Sequence, residues 1–278
     1  MIEWNKIYCV DSDKKMKDLV NEGIKFDLVL TDPPYNINKD FGNGSDSLPF
    51  DDFLEINKKR IDTISKLLTS NGSLIWFGIH NYIGYMQTMM YNAGLSYRRM
   101  NIWHYLNGFS RSKKAPATTY EPFLWFSKDP NNWTYNADDV RVPYKSKKRL
   151  KTPVYYKDSK GNKKEWKPNA NGALRGDVWE YPTLAGKAYE KERTAHPTQK
   201  PEALIEEILK AYVPKNKNGI YEGTVFDPFV GSGTTAVAIE KLNKQGHNIK
   251  WIAFEIEKKW VNIANKRISK LRDSITLF

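Results

Sequence analysis

Short apolar runs alternate with stretches of helical periodicity along this chain. KIYCV (6–10) and FDLVLT (26–31) are continuous apolar runs of strand length, and each predicts a buried strand. Between 51 and 69, Phe53, Leu54, Ile56, Ile61, Ile64, Leu67 and Leu68 recur near the helical period and predict a helix. SNG is a turn into a strand at 73–77, followed by a helix over 80–92 and strands over 97–104 and 121–127. From about 130 to 195 the periodicity fades, and Asn, Pro, Gly and Lys dominate. Order returns at Pro201, suited to a first helical position, ahead of an apolar face of Leu204, Ile205, Ile208, Leu209 and Tyr212. GTVFDPF then reads as a strand, GTTAVAIEKLNK as a helix, IKWIAFEI as a strand and 257–271 as a last helix. The alternation predicts an α/β fold on a parallel sheet, interrupted by a loop-rich insert. No internal repeat is evident, and low complexity is confined to the Lys-rich insert.

Composition narrows the picture. The 278 residues suit one large domain, or one domain plus an insert. Cys9 is the sole cysteine, so neither an internal disulfide nor a cysteine-built zinc site can form, and its place in an apparent strand predicts a buried, inert thiol. His80, His104, His196 and His247 share no metal-binding spacing, so no metal is expected. No run approaches the roughly 20 apolar residues that cross a bilayer. The start, MIEWNKIYCVDSD, reads as neither a signal nor a transit peptide, and a cytoplasmic, soluble protein is expected.

A net charge of +12 favours an anionic partner, although a merely basic surface would give the same total. Its distribution says more. Arg141, Lys145, Lys147, Lys148, Arg149, Lys151, Lys157, Lys160, Lys163, Lys164 and Lys167 crowd one segment, opposed only by Asp158 and Glu165. Tyr144, Tyr155, Tyr156 and Trp166 are interleaved. Cations neutralise phosphates and rings stack or wedge against bases, so the segment leans towards nucleic acid.

Two stretches carry candidate chemistry. VFDPFVGSGTTAVAIE (225–240) is a strand, a glycine turn and a helix start. Gly231 and Gly233 would let a ligand approach the backbone, and the helix N-terminus offers N–H groups to an anion. No Gly-Lys-Ser/Thr follows, which argues against a nucleotide-phosphate loop. Glu255 ends the next strand 22 residues past Gly233, a spacing at which an acid binds ribose hydroxyls. A ligand with a ribose and a carboxylate but no diphosphate fits, and S-adenosyl-L-methionine is such a ligand. The second stretch, LVLTDPPYNIN (28–38), runs from a strand into an acid, two prolines and a tyrosine. For a planar base with an exocyclic amine, Asp32 could accept one N–H and the Pro33 carbonyl the other. Two acceptors localise the nitrogen lone pair and stabilise the positive charge that grows as a methyl arrives. Pro33 and Pro34 fix the turn and remove its donors, and Tyr35 would stack on the base.

DPPY resembles motif IV of the DNA amino-methyltransferases, FDPFVGSGTT their motif I, and HPTQKPEALIEEIL (196–209) their motif X. The order, catalytic motif then basic insert then motifs X and I, is similar to that of the β class of adenine-N6 methyltransferases from restriction–modification systems. VRVPY and NGALRGDVW in the insert are similar to members of that class as well. The resemblance covers nearly the whole chain. It implies a Rossmann-like, S-adenosylmethionine-dependent methyltransferase fold with circularly permuted motif order: a catalytic half over 1–130, a DNA-recognition insert over 131–195 and a cofactor-binding half over 196–278. It also implies roles. Asp32 and Tyr35 are the catalytic pair, with Pro33 and Pro34 shaping the turn. Asp11, Thr198, Lys200, Asp227, Phe229, Gly231, Gly233, Thr234 and Glu255 surround the cofactor, with Thr198 and Lys200 near its carboxylate. Asp11 also reads as a plain helix cap. From the basic insert and the loop at 107–114, Arg111, Lys113, Lys114, Lys145, Lys147, Lys148, Arg149 and Lys151 are expected to contact DNA phosphates. The loop at 38–47 is expected to order on binding. The expected partner is double-stranded DNA with a flipped adenine. A homodimer and an accompanying restriction endonuclease occur in such systems. The alternatives are cytosine-N4 methylation, an RNA or protein-glutamine substrate, and an inactive DNA-binding partner subunit. Family members acting on cytosine often place Ser where Asp32 stands, which favours adenine.

Overall fold

A computed structural model describes residues 2–41, 46–105, 107, 113–146 and 150–274. The first half of the chain forms β1 (Lys6–Cys9), α1 (Ser12–Asn21), β2 (Phe26–Thr31), α2 (Phe50–Leu67), β3 (Leu68–Phe77), α3 (Ile83–Asn92), β4 (Ser96–His104) and β5 (Tyr120–Ser127). Then come β6 (Val154–Lys157), β7 (Lys163–Trp166), β8 (Val178–Glu180), α4 (Glu202–Tyr212), β9 (Glu222–Asp227), α5 (Thr234–Lys244), β10 (Asn248–Glu255) and α6 (Lys258–Asp273). The main sheet has eight strands in the order β1-β10-β9-β2-β3-β5-β4-β8.

Its central strands carry buried apolar runs, Leu28–Leu30, Leu74–Phe77 and Val225–Phe226, because helices cover both faces. Leu28 and Leu30 of β2 and Ile75 and Phe77 of β3 face a cluster built with α4, α5 and α6. The intervening Val29, Leu74 and Trp76 face α1, α2 and α3. From β2 the chain winds outward through α2 to β3; from β9 it winds the other way through α5 to β10. β2 and β9 are hydrogen-bonded neighbours, so a topological switch point lies between them, where open α/β sheets bind ligands.

Three expectations are corrected. The sheet is mixed rather than parallel: β5 runs antiparallel to β3 and β4. No helix separates β4 from β5, and a parallel return needs a crossover. Cys9 is exposed: it ends β1, an edge strand in which only Ile7 is fully buried. Pro201 is the cap before α4 rather than its first residue. Within the loop-rich segment 131–195, β8 pairs in parallel with β4 and buries Trp179, while β6 and β7 form a separate two-stranded ribbon. A three-residue strand with exposed ends carries no periodic signal.

Candidate active site

The carboxyl ends of β1, β2, β9 and β10 open onto one cavity of about 310 Å³. Asp11, Asp32, Pro33, Pro34, Tyr35, Thr198, Lys200, Asp227, Phe229, Gly231, Thr234 and Glu255 all line it. Two motifs almost 200 residues apart in sequence therefore share one pocket.

At the β2 end the chain leaves the sheet through Asp32-Pro33-Pro34-Tyr35 and turns at Asn36 and Asn38, with φ of 60° and 59°. Asparagine tolerates this left-handed region better than most residues. The turn is pinned by buried Asp46, whose carboxylate accepts the backbone N–H of Asn36 (2.6 Å), Ile37 (3.1 Å) and Lys39 (2.7 Å). Phe41 is anchored as well, its carbonyl accepting the Trp260 indole N–H at 3.1 Å. The described parts of 38–47 are thus held in place; residues 42–45 lie outside the described residues.

Four polar side chains meet behind the turn. The Tyr35 hydroxyl donates to Asp32 Oδ1. Lys200 Nζ donates to Asp32 Oδ2 at 2.5 Å, to the Tyr35 hydroxyl at 3.2 Å and to Glu121 Oε2 at 3.1 Å. The rings of Tyr35, Phe77 and Trp103 lie 5.3, 5.2 and 5.8 Å from the same ammonium. Burial alone would lower the Lys200 pKa, but the Asp32 and Glu121 carboxylates override it and hold the ammonium above the usual lysine value. Burial pushes Glu121 above the usual carboxylate value, against the pull of Lys200 and helped by the like charge of Asp32. Tyr35 is raised well above an ordinary phenol by burial and the same two carboxylates. The expectation that put Lys200 at a cofactor carboxylate meets a different arrangement: its three N–H bonds are all directed into the Asp32 cluster.

The β9 end is a carboxylate-stapled glycine turn. Asp227 Oδ1 accepts the Phe229 N–H at 3.0 Å, and burial raises its pKa to about 7 against the lowering hydrogen bonds from Thr235 and Phe229. Glu255 Oε2 accepts the Gly231 N–H at 3.1 Å while Oε1 accepts the Glu257 N–H at 2.8 Å, and burial raises this carboxyl too. Gly231 and Gly233 have φ of 51° and 86°, which glycine adopts without a Cβ penalty. Their close neighbours belong to the protein itself: a Cβ on Gly231 would lie 2.7 Å from His196 Nε2, and one on Gly233 2.6 Å from the Ala264 Cβ. Gly233 does not line the cavity and instead lets α6 close on the turn. His196 is held against Trp260, ring centroids 4.7 Å apart, and burial lowers its pKa to about 4, so it is neutral at pH 7. Thr198 presents its N–H to His196 Nδ1 at 3.4 Å.

Asp11 caps α1 through the Asp13 N–H at 2.9 Å and also lines the cavity. Beside it, Arg60 pairs bidentately with Asp13, both contacts 2.8 Å, and lies over the Phe229 ring at 4.7 Å. Glu121, Arg60, Asp46 and Trp260 carry no role in the sequence reading, and His196 enters it only as the head of the HPTQKP stretch. Only Glu121 had a visible signal, an acid opening the apolar run PFLWF.

Of the basic residues, Lys113, Lys114, Lys145 and Lys151 are exposed and none lines the cavity. Arg111, Lys147, Lys148 and Arg149 lie outside the described residues. Lys145 also reaches Glu180 at 3.5 Å. Among the described residues, no helix is long and apolar enough to cross a membrane.

Residues 26–266 match the DNA methylase family of N6 and N4 methyltransferases. The chain is 32% identical over 277 residues to the type II methyltransferase M1.MboII of Moraxella bovis, covering 98% of this chain and 99% of that one. It is 31% identical over 264 residues to the type II methyltransferase M.HpaI of Haemophilus parainfluenzae, covering 95% and 74%. It is similar to the crystal structure of the M1.HpyAVI–SAM complex with a TM-score of 0.62 at 25% identity, covering 94% of this chain and 98% of that one. With the match running from β2 into α6, and both motif turns inside it, the chain belongs to the N6/N4 DNA methylase family and is a DNA methyltransferase.

Proposed function

We propose that this protein transfers a methyl group from S-adenosyl-L-methionine to the N6 amine of an adenine flipped out of double-stranded DNA. The observation that carries the reading is the shared cavity: the Asp32 turn and the Asp227–Glu255 turn open onto the same space. The donor supplies an electrophilic methyl on a sulfonium and carries a ribose, an ammonium and a carboxylate. The residues present fit it. Asp227, a buried carboxyl held partly neutral, suits the ammonium; Glu255 and Asp11 suit hydroxyl and adenine contacts; Phe229 on its Arg60 support offers an apolar wall. Asp32 and the Pro33 carbonyl accept the two hydrogens of the target amine and direct its lone pair along the line to the methyl. The N–C bond forms as the S–C bond breaks, and Asp32 or water takes the proton that the methylated amine sheds. Tyr35 shapes the seat of the base through its bond to Asp32.

Asp32, rather than serine, at the head of the tetrapeptide favours adenine over cytosine. Digestion of modified DNA to nucleosides tests this: N6-methyl-2′-deoxyadenosine is expected, and N4-methyl-2′-deoxycytidine overturns it. Sequencing modified bases in cells that express the protein gives the target site as well. Light scattering tests the homodimer that the family resemblance implies, and pairing with a restriction endonuclease and a cytoplasmic location belong to the same reading.

Two further outcomes follow from the site. Donor affinity should climb as the pH rises from about 6 to 8, by at most about tenfold per unit, because a protonated Asp227 cannot pair with the donor ammonium below its pKa of about 7. Asp227→Asn should flatten that profile in calorimetric titrations and lower affinity at the alkaline end. For DNA, Lys157, Lys160, Lys163 and Lys164 are all exposed on or beside the β6–β7 ribbon. Replacing the four by Gln should weaken binding and reduce the slope of log K against log salt by up to about 3.6. An unaltered slope removes the ribbon from the phosphate contacts.

A further inference from the structure

The Asp32 cluster contains more charge than an amine acceptor requires. Asp32 and Glu121 bring two negative charges, Lys200 brings one positive charge, and the Lys200 ammonium already sits at 2.5 Å from the Asp32 oxygen. The space beside Asp32 is therefore held by a cation before any base arrives. An incoming amine that takes Asp32 must shift that ammonium, and a buried charge that loses its partner is strongly disfavoured. Glu121 removes the difficulty. Its Oε2 is 3.1 Å from the same Nζ, so the ammonium can release Asp32 and stay paired with little movement. The rings of Tyr35, Phe77 and Trp103 surround the ammonium at 5.3, 5.2 and 5.8 Å and favour a cation in the space between Asp32 and Glu121.

The charge count matters as well. With Lys200 paired to Glu121, Asp32 is left carrying an uncompensated negative charge as the attacking nitrogen becomes positive. Without Glu121, the Asp32 and Lys200 charges cancel, and nothing in the cluster balances the growing cation.

We propose that Glu121 is a positioning residue for methyl transfer: it keeps the Lys200 ammonium paired while the target amine occupies Asp32, and leaves the cluster with one net negative charge in the transition state. The inference rests on the proposed role of Asp32 as amine acceptor.

The test is a charge cycle on the full chain with duplex DNA and donor. Glu121→Gln keeps the shape and removes the charge; kcat should fall by about 10- to 100-fold, while KM for the donor stays within about threefold. Adding Lys200→Met to that variant restores the net negative charge, and the pair Glu121→Gln/Lys200→Met should turn over about tenfold faster than Glu121→Gln alone. A purely structural Glu121 would make the double variant no faster than the single one. A Glu121→Gln enzyme within about threefold of wild-type kcat overturns the proposal, as does a double variant that fails to recover. Should the single variant not fold, the double variant decides: folded by thermal melting and active supports the proposal, folded and inactive overturns it. Asp32→Ala run alongside separates the failures. If it retains turnover, the amine-acceptor reading itself is wrong; if it is inactive while Glu121→Gln is normal, only the present inference is lost.

Discussion

Asp32→Ala should reduce methyl transfer by about 10³-fold or more while leaving donor binding within a few fold. The loss is large because Asp32 accepts an N–H from an amine whose positive charge appears only as the bond to carbon forms. A carboxylate fixed in advance stabilises that charge without reorganisation. Donor binding should survive because Asp227, Glu255 and the glycine turn are held by their own backbone contacts: the Phe229, Gly231 and Glu257 N–H groups. The fold should survive too. Lys200 retains Glu121 at 3.1 Å when Asp32 is gone, so the variant does not strand a buried ammonium. Labelled-methyl transfer read beside calorimetric donor binding checks both halves. Near-normal turnover in this variant would remove Asp32 from the chemistry.

Gly233→Ala is expected to destabilise the protein by about 2–4 kcal/mol, from left-handed backbone strain and a forced contact combined. At φ of 86° the residue sits where an L side chain is disfavoured, and its Cβ would meet the Ala264 Cβ at 2.6 Å. Ala264 is fully buried on α6, so neither partner has room to move aside. Gly231→Ala shares the backbone penalty, but its Cβ meets the edge of the His196 ring, a side chain that can swing. The Gly233 variant should therefore melt lower than the Gly231 variant, whereas the Gly231 variant should lose more donor affinity, since Gly231 lines the cavity and Gly233 does not. Denaturant melts and donor titrations of the two proteins check the ranking, and equal melting points would refute the packing argument.

β2 was placed at Phe26–Thr31, as read, and α2 and the strands ending in Asp227 and Glu255 fell within a few residues of expectation. These elements bury one face or two, so their period is written in the residues themselves. β6, β7 and β8 were missed. They have three or four residues each, and β6 and β7 are solvated on both faces, which leaves no hydrophobic pattern to find. Cys9 was misplaced because an edge strand and a central strand look alike until neighbours are known.

The sequence by itself determined the alternation of elements, the acid-proline turn, the glycine turn and their order along the chain. Each depends on local preferences: apolar period, proline's missing N–H and glycine's freedom at positive φ. Only the tertiary structure decided that Lys200 belongs to Asp32 and Glu121, that Gly233 faces Ala264, and that β5 runs antiparallel. Those facts join residues 79 to 168 positions apart at Lys200 alone. A charge pair at such separation is set by which strands lie side by side, and no local preference of either residue encodes that.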